Sequence, residues 1–237
     1  MQNMRGKVRS YDLSLEIKRK SIWFKQKLKK WFEENHRVFL WRESNRTPYE
    51  ILIAEILLRR TRAETVAQIY PEFLKRFPTF HDLANASPRD IKKIIKPLGL
   101  WRQKTPIFLN IAKEVVKNEG QLPATREDLE KLFHIGNYIS SVILTSFHKK
   151  AEPFVDVNMA RVVDRFFGPR KLVDIRYDPY LHAVAREIVK NKKESLTLNW
   201  AVLDFAALVC KAGRPRCEIC PITKRCLYYS QIVENRP

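Results

Sequence analysis

The sequence predicts an all-α protein. Only 6 of its 237 residues are glycine, stretches of alternating β-branched residues are nearly absent, and apolar residues recur at three- and four-residue spacing along almost the whole chain. The length suits two compact domains. The helices predicted by this periodicity are, in chain order, residues 13–35, 48–60, 63–77, 81–86, 88–96, 103–118, 126–133, 138–147, 157–167, 179–190 and 196–210.

Several of these helices begin with recognisable caps. Thr47 precedes Pro48 and Ser87 precedes Pro88, so a capping side chain stands directly before proline at the first helical position. Thr125, followed three residues later by an acid, resembles a capping box. No repeat of fixed period is visible, which excludes a solenoid.

The chain is strongly basic. It has 45 Lys and Arg against 26 Asp and Glu, a formal charge of +19, and such an excess concentrates nucleic acids or binds anionic membrane surfaces. The longest apolar runs, residues 51–58 and 201–210, each contain a carboxylate and are shorter than the ~20 residues of a membrane span. The basic N-terminal region contains no apolar signal segment. We therefore expect a nucleic-acid-binding protein that is neither secreted nor membrane-bound.

All four cysteines fall near the C-terminus, with the spacing C-x6-C-x2-C-x5-C. Such clustering is typical of a metal site rather than a disulfide scaffold. Structural zinc usually uses two short C-x2-4-C pairs, and here only Cys217 and Cys220 form one, while Cys210 and Cys226 stand further away. The wider spacing favours a [4Fe-4S] cluster, with zinc and four unligated thiols as the alternatives.

A basic loop lies between the first two cysteines. Lys211, Arg214 and Arg216 follow Cys210, where the apolar helix predicted for residues 196–210 ends. A positively charged loop on a rigid anchor is the arrangement expected of a phosphate contact.

Glu55 interrupts an apolar helix, with apolar neighbours at i−4, i−3 and i+3. A helix that is apolar on nearly every face is buried, so this carboxylate should be paired, have a raised pKa or line a cavity. One possibility is an i,i+4 ion pair with Arg59; the other is a functional carboxylate.

The segment Leu132 to Tyr138 ends one apolar helix and begins another within a few residues, with Gly136 in the turn. This pattern predicts a helix-hairpin-helix, whose outward amides could hold a phosphate without contacting a base. Many ordinary αα-hairpins also have a glycine in the turn. The positive charge of the chain favours DNA binding.

Asp156 directly precedes the helix predicted to begin at Val157. An aspartate in this position is an ordinary N-cap. A cap and a catalytic carboxylate are compatible roles, so Asp156 is also a candidate for catalysis.

Together these motifs resemble the endonuclease III superfamily of DNA glycosylases. The likeness runs from about Phe39 to Leu227 and rests on the order of Glu55, the hairpin, Asp156 and the four cysteines. It implies a six-helix barrel domain with the hairpin at residues 43–154. It also implies a discontinuous cluster domain at residues 1–42 and 155–237, in which the cysteines ligate a [4Fe-4S] cluster.

Tyr138 stands where bifunctional members of the superfamily have a lysine that forms a Schiff base with the sugar. A phenol cannot form that imine, so lyase activity by this route is not expected. The hairpin departs from the family's Leu-Pro-Gly-Val-Gly at Phe133 and His134, and His148 stands where glycine is common. His134 should either adopt a positive φ or contact a phosphate itself.

Two monofunctional subfamilies compete for the assignment. Adenine glycosylases share the carboxylate at Glu55, but they have a small residue at Tyr138, glutamines at Arg59 and Arg60, and a C-terminal domain for oxidised guanine that we do not expect here. Glycosylases that remove thymine or uracil opposite guanine match the Leu-Leu-Arg-Arg-Thr at 57–61 and Tyr138. A non-catalytic protein that binds mismatches or shapes DNA is an alternative of another class.

The resemblance implies roles for individual residues. Asp156, ionised, would stabilise the sugar cation and activate water; Glu55 would protonate or hydrogen-bond the base; Tyr138 would wall the pocket. The expected DNA contacts are Arg59, Arg60, His134, Ile135, Gly136, Lys211, Arg214 and Arg216.

The expected partner is double-stranded DNA with a mismatched or damaged base. We expect a cytoplasmic monomer associated with the nucleoid of a prokaryote. The basic N-terminal residues lie outside the recognised region, and we expect them to form an extra helix that follows the DNA.

Overall fold

A computed structural model describes residues 11–233, and within them all regular structure is helical, as the sequence predicted. Eleven α-helices are present in this part of the chain. Their bounds are α1 Leu15–Asn35, α2 Pro48–Leu58, α3 Ala63–Arg76, α4 Phe80–Ala84, α5 Pro88–Ile95, α6 Trp101–Lys117, α7 Arg126–Leu129, α8 Asn137–Phe147, α9 Val157–Phe167, α10 Pro179–Val189 and α11 Ser195–Leu208.

Shorter helical turns connect or follow these helices. Four are 3-10 turns and the last is a π-helical turn: Leu40–Arg42, Lys96–Leu98, Cys217–Ile219, Thr223–Arg225 and Tyr229–Val233. No helix in residues 11–233 is long and apolar enough to cross a membrane.

The predicted caps are present. The side chains of Thr47 and Ser87 accept hydrogen bonds from the first turns of α2 and α5, with proline at the start of each helix. Thr125 accepts from the Asp128 amide at the start of α7. These side chains satisfy amides that a helix leaves without an internal partner.

The chain forms two compact units. One contains residues 38–148, and the other contains residues 1–37 together with 149–237. The first unit holds α2 to α8 around a core that includes the fully buried Leu52, Tyr70, Phe73 and Phe108. The second unit packs α1 with α9, α10 and α11, and Phe24 and Phe166 lie in its core.

Helix α1 is an integral part of its unit. Its Phe24 and Leu28 are fully buried, and α1 packs against α10 and α11. Removing it would expose a core, so residues 15–35 are not the appended helix expected from their charge. Residues 1–10, which carry part of that charge, lie outside the described residues.

Several predicted helices end before the expected residue, and two of these ends lie at the hairpin and at the cysteines. The helix predicted for residues 126–133 stops at Leu129, after which Leu132 N–H donates to the Leu129 carbonyl in a tighter turn. The helix predicted to run to residue 210 ends at Leu208, and the amides of Val209 and Cys210 both donate to the Phe205 carbonyl. Cys210 therefore lies in the turn that leaves α11.

Candidate active site and DNA-contacting loops

Helix α2 positions Glu55. From Ile51 to Leu57 all residues are buried except Glu55, which retains some solvent exposure. This carboxylate therefore lies at the one opening in an otherwise enclosed segment. Such a half-buried acid in an apolar setting is a candidate for protonating or hydrogen-bonding a substrate.

Arg59 follows the end of α2 and links two motifs that the sequence analysis treated separately. Its Nη2 donates to the His134 carbonyl at 2.8 Å, while burial lowers its pKa and the nearby Glu55 carboxylate opposes that change. Arg59 thus interacts with Glu55 electrostatically and also ties the end of α2 to the hairpin.

Arg60 is exposed and has a φ of 55°, in the left-handed region that non-glycine residues rarely adopt. Leu100, directly before α6, is partly exposed with a φ of 51°. Such strained residues persist only where their surroundings hold them, and they cluster at functional sites. The strain at Leu100 was not visible in the sequence.

The hairpin runs from α7 to α8, and its turn leaves amides unpaired. His134 has the positive φ, 59°, that the sequence allowed for. The amides of His134, Gly136 and Asn137 have no hydrogen-bond acceptor within residues 11–233, whereas that of Phe133 donates to Glu114 Oε2 at 2.7 Å. An added Cβ at Gly136 would meet nothing within 4 Å, so the turn is open to a ligand there.

Ile135 is buried, unlike the hairpin residues on either side of it. Its side chain is 2% exposed, and its amide donates to the Leu132 carbonyl at 3.2 Å. Both groups are engaged within the protein, so the side chain and the amide of Ile135 anchor the turn. Tyr138 is the second residue of α8 and is partly exposed.

Lys104 is a buried cation that the sequence analysis missed. It is 3% exposed, and its Nζ donates to the Leu57 carbonyl at 2.6 Å and to Thr61 Oγ1 at 2.7 Å. Burial lowers its pKa to about 8, and the positive charge of Arg59 acts in the same direction. A signal was present, since Lys104 lies four residues before Phe108 on the apolar face of α6.

Asp156 caps α9. Its Oδ1 accepts from the Asn158 amide at 2.9 Å and the Met159 amide at 2.8 Å, and its Oδ2 accepts from Asn158 Nδ2 at 2.5 Å. Burial raises its pKa above the usual aspartate value, and these hydrogen bonds together with Arg161 offset only part of that rise.

A hydrogen-bonded path connects Asp156 to the first cysteine. Asn158 Oδ1 accepts from Arg161 Nη2 at 3.1 Å, and Arg161 Nε donates to the Cys210 carbonyl at 2.9 Å. The sequence analysis did not identify Arg161. Its spacing of three residues from Asn158 and five from Asp156, on one helix, was the available signal.

Asn199 fixes the segment that leads to Asp156. This fully buried side chain accepts from the Phe154 amide at 2.8 Å and donates to the carbonyls of Glu152 and Ser195, each at 3.0 Å. All of its hydrogen-bonding groups are engaged, which is what a rigid support for a reactive carboxylate requires.

The four cysteines line one cavity. Its volume is about 370 Å³, including space open to solvent, and its walls include Val162, Phe166 and Ile222. Burial raises the pKa of three of the thiols, to about 12 at Cys220. In residues 11–233 no group of three or more His, Cys, Asp or Glu side chains could hold a metal ion.

The basic loop projects from this cavity. Lys211, Arg214 and Arg216 are all exposed. Arg165 of α9 supports the loop from below, since its Nη1 donates to the Lys211 carbonyl at 2.7 Å and its Nη2 to the Ala212 carbonyl at 3.1 Å. Arg165 Nη1 also lies 3.5 Å from Cys210 Sγ.

The candidate residues thus form two groups, each within one unit. Glu55, Arg59, Arg60 and Tyr138 belong to the unit of residues 38–148, with the hairpin between α7 and α8. Asp156, the basic loop and the cysteines belong to the other unit.

Comparison with known proteins identifies the family. Residues 53–174 match the family described as HhH-GPD superfamily base excision DNA repair protein. The chain is 36% identical over 213 residues to the thymine/uracil-DNA glycosylase of Pyrobaculum aerophilum, covering 88% of this chain and 92% of that protein. It is 34% identical over 186 residues to the thymine-DNA glycosylase of Aeropyrum pernix, covering 77% and 83%.

Solved structures of DNA repair proteins are similar to this chain in fold. A thermostable thymine-DNA glycosylase superposes with a TM-score of 0.79 at 31% identity, over 90% of this chain and 97% of that one. Endonuclease III in a covalent complex with DNA superposes with a TM-score of 0.77 at 22% identity, over 92% and 98%, which shows a shared fold. The predicted resemblance is confirmed: the chain belongs to the HhH-GPD superfamily of base excision DNA repair proteins.

Proposed function

We propose that the protein is a monofunctional DNA glycosylase that hydrolyses thymine or uracil from T:G and U:G mismatches. The observation that carries the proposal is the combination of a half-buried Asp156 with Tyr138 at the hairpin position where a lyase has its lysine. Two relatives that are named for thymine and uracil, at 35% and 36% identity, support the same substrate class.

The target nucleotide must first leave the duplex. Extrusion costs a few kcal/mol, and the cost is lowest for a mismatched base. The unpaired amides of His134, Gly136 and Asn137 and the cations of the basic loop would each bind DNA phosphates. Arg60 would fill the vacated space in the stack, and Leu100 is suited to a wedge between base steps.

Asp156 would act on the sugar. As the bond between C1′ and the base nitrogen lengthens, the sugar gains oxocarbenium character, which a nearby carboxylate stabilises. Asp156 in its ionised form would also accept a proton from the attacking water. The water oxygen adds to C1′ and the bonding electrons leave with the base. Asn199, through the Phe154 amide, holds the segment before this carboxylate.

Glu55 would act on the base. The departing pyrimidine gains negative charge, and a carboxylic acid at the one opening of α2 can donate a hydrogen bond or a proton to it. Tyr138 would wall the pocket. Because a phenol cannot form an imine with C1′, the product is an intact strand with an abasic site rather than a broken strand.

The four cysteines would hold a [4Fe-4S] cluster. One cavity that all four cysteines line supports this assignment. Zinc needs its sulfur ligands at about 2.3 Å from one centre, whereas a cubane gives each thiolate its own iron. When bound, the cluster would cross-link the end of α11 to the basic loop.

The same family supports proposals for the domain organisation, the oligomeric state and the compartment of the protein. We propose a barrel domain at residues 43–154 and a discontinuous cluster domain at residues 1–42 and 155–237. The division of the chain into compact units, residues 38–148 and the remainder, supports an organisation in two domains. We propose that the protein acts as a monomer in the cytoplasm on mismatched double-stranded DNA.

A substrate panel tests the proposal. The purified protein would be incubated with duplexes carrying T:G, U:G, A opposite oxidised guanine, or a fully paired site, and the free base would be measured. Release of thymine or uracil from the first two supports the proposal. Release of adenine alone assigns the protein to the adenine glycosylases, and binding of mismatches with no release would make it a non-catalytic binder.

A further inference from the structure

Lys104 occupies an unusual place for a lysine. It lies in the first turn of α6 and is 3% exposed, although its side chain is long enough to reach solvent from most helix surfaces. Burying an ammonium group is costly unless hydrogen bonds compensate. The position of Lys104 therefore points to a specific use of its donors.

The two acceptors of Lys104 lie on either side of the turn that follows α2. The Leu57 carbonyl, 2.6 Å from Nζ, is one of the last carbonyls of α2, which have no partner within the helix. Thr61 Oγ1, 2.7 Å from Nζ, lies on the far side of the turn and itself donates to the Arg59 carbonyl at 3.3 Å. Lys104 thus clamps the turn at both ends.

The clamped turn carries the two arginines already described. Arg60 has the strained φ of 55° and an exposed side chain. Arg59 reaches from the same turn to the His134 carbonyl. A strained backbone persists only where its surroundings over-determine it, and Lys104 supplies two of the hydrogen bonds that do so.

A nucleophilic role for Lys104 is excluded by its burial. A lysine that attacks C1′ must reach the substrate with a free amine, and this amine is enclosed and donates to two acceptors. We propose that Lys104 is a positioning residue for base extrusion, which holds the turn at residues 57–61 so that Arg60 can enter the DNA stack. This inference rests on the proposed function.

Fluorescence of 2-aminopurine tests the inference without catalysis. The reporter base would be placed next to the thymine of a T:G mismatch, and saturating protein would be added in an Asp156→Asn background, in which the base stays attached. Extrusion unstacks the reporter and raises its fluorescence. Lys104→Met, which removes the donors but keeps a long side chain, should lose most of this rise, about tenfold in the extrusion equilibrium. Lys113→Met, an exposed position on the same helix, is the matched control.

Variants of Thr61 and Arg60 separate a positioning role of Lys104 from a general loss of stability, because the fluorescence rise should depend on the Thr61 hydroxyl and on Arg60 specifically. Thr61→Ser keeps the hydroxyl and should keep the fluorescence rise, whereas the isosteric Thr61→Val should lose it. In an Arg60→Ala background, Lys104→Met should have no further effect.

The inference would be overturned by an unchanged rise in a folded Lys104→Met protein, by additive losses with Arg60→Ala, or by the absence of any rise in the Asp156→Asn reference. The proposed function fails separately, when the native protein releases no base in the substrate panel.

Discussion

Arg59 Nη2 donates to the His134 carbonyl at 2.8 Å, and this bond joins the end of α2 to the turn of the hairpin. His134 has a φ of 59°, which strains the backbone of the turn. By binding the His134 carbonyl, Arg59 helps to hold this strained backbone in place. The helix that carries Glu55 and the turn that offers free amides are thereby held together.

Arg59→Ala should weaken DNA binding through the hairpin. A hydrogen bond to a charged group contributes about 1.5–3 kcal/mol, so we expect roughly a 10- to 100-fold loss of affinity for mismatched duplex, measured by fluorescence anisotropy. Arg89→Ala removes the same charge from an exposed site on α5 and is the control. Equal losses in the two variants would reduce the role of Arg59 to its net charge.

Most of the fold could be predicted because helix signals are local. Apolar periodicity located every α-helix of the described chain to within a few residues, and the caps at Thr47 and Ser87 marked their starts. Misplaced helix ends such as those at Leu129 and Leu208 depend on hydrogen bonds of the following turn. Charge was misleading for α1, because that helix also carries the buried Phe24 and Leu28, which lie in the core of its unit.

In the candidate site, the cap formed by Asp156 and the shared location of the four cysteines could be predicted, because their signals lie in short stretches of sequence. Its supporting residues were missed because their function depends on distant partners. Asn199 reaches a segment 45 residues earlier in the chain, at Phe154, and Lys104 reaches Leu57 across 47 residues. No local pattern records such contacts, although a polar residue on an apolar helix face is a sign that one exists.

Asp156→Asn should abolish base release without loss of stability. Asparagine caps a helix as well as aspartate does, and burial already disfavours the charged form of Asp156, whose pKa is raised. We expect no detectable single-turnover release from T:G, with an unfolding temperature at or above that of the native protein. Normal release would remove Asp156 from the catalytic role, and a large fall in unfolding temperature would make its role structural.

The raised pKa of Asp156 predicts an acid limb in the rate. Base release requires the carboxylate, and burial moves its protonation to a higher pH than the ordinary aspartate value of 3.8. As the pH falls, kcat/KM should therefore decline before pH 3.8 is reached. Circular dichroism at each pH serves as the control for unfolding. A rate that stays constant down to pH 3.8 in folded protein would contradict this assignment.

Lys104 predicts a pH dependence of stability. Its pKa is about 8 in the folded protein against an ordinary 10.5, so between these values the unfolded chain binds more protons and stability rises with pH. The free energy of unfolding of the native protein, relative to Lys104→Met, should increase from pH 8 to pH 10.5 by at most ~3 kcal/mol. Denaturant titrations of both proteins measure this difference. A constant difference would mean that Lys104 titrates normally.

The proposed reaction is hydrolysis of the glycosidic bond without cleavage of the strand. The most direct measurement incubates the protein with an end-labelled T:G duplex and divides each sample between alkali treatment and none before electrophoresis. We predict breaks at the mismatched thymine only in the alkali-treated half, and none with Asp156→Asn. Breaks in the untreated half, or none in either half for both T:G and U:G duplexes, would contradict monofunctional hydrolysis of the mismatched base.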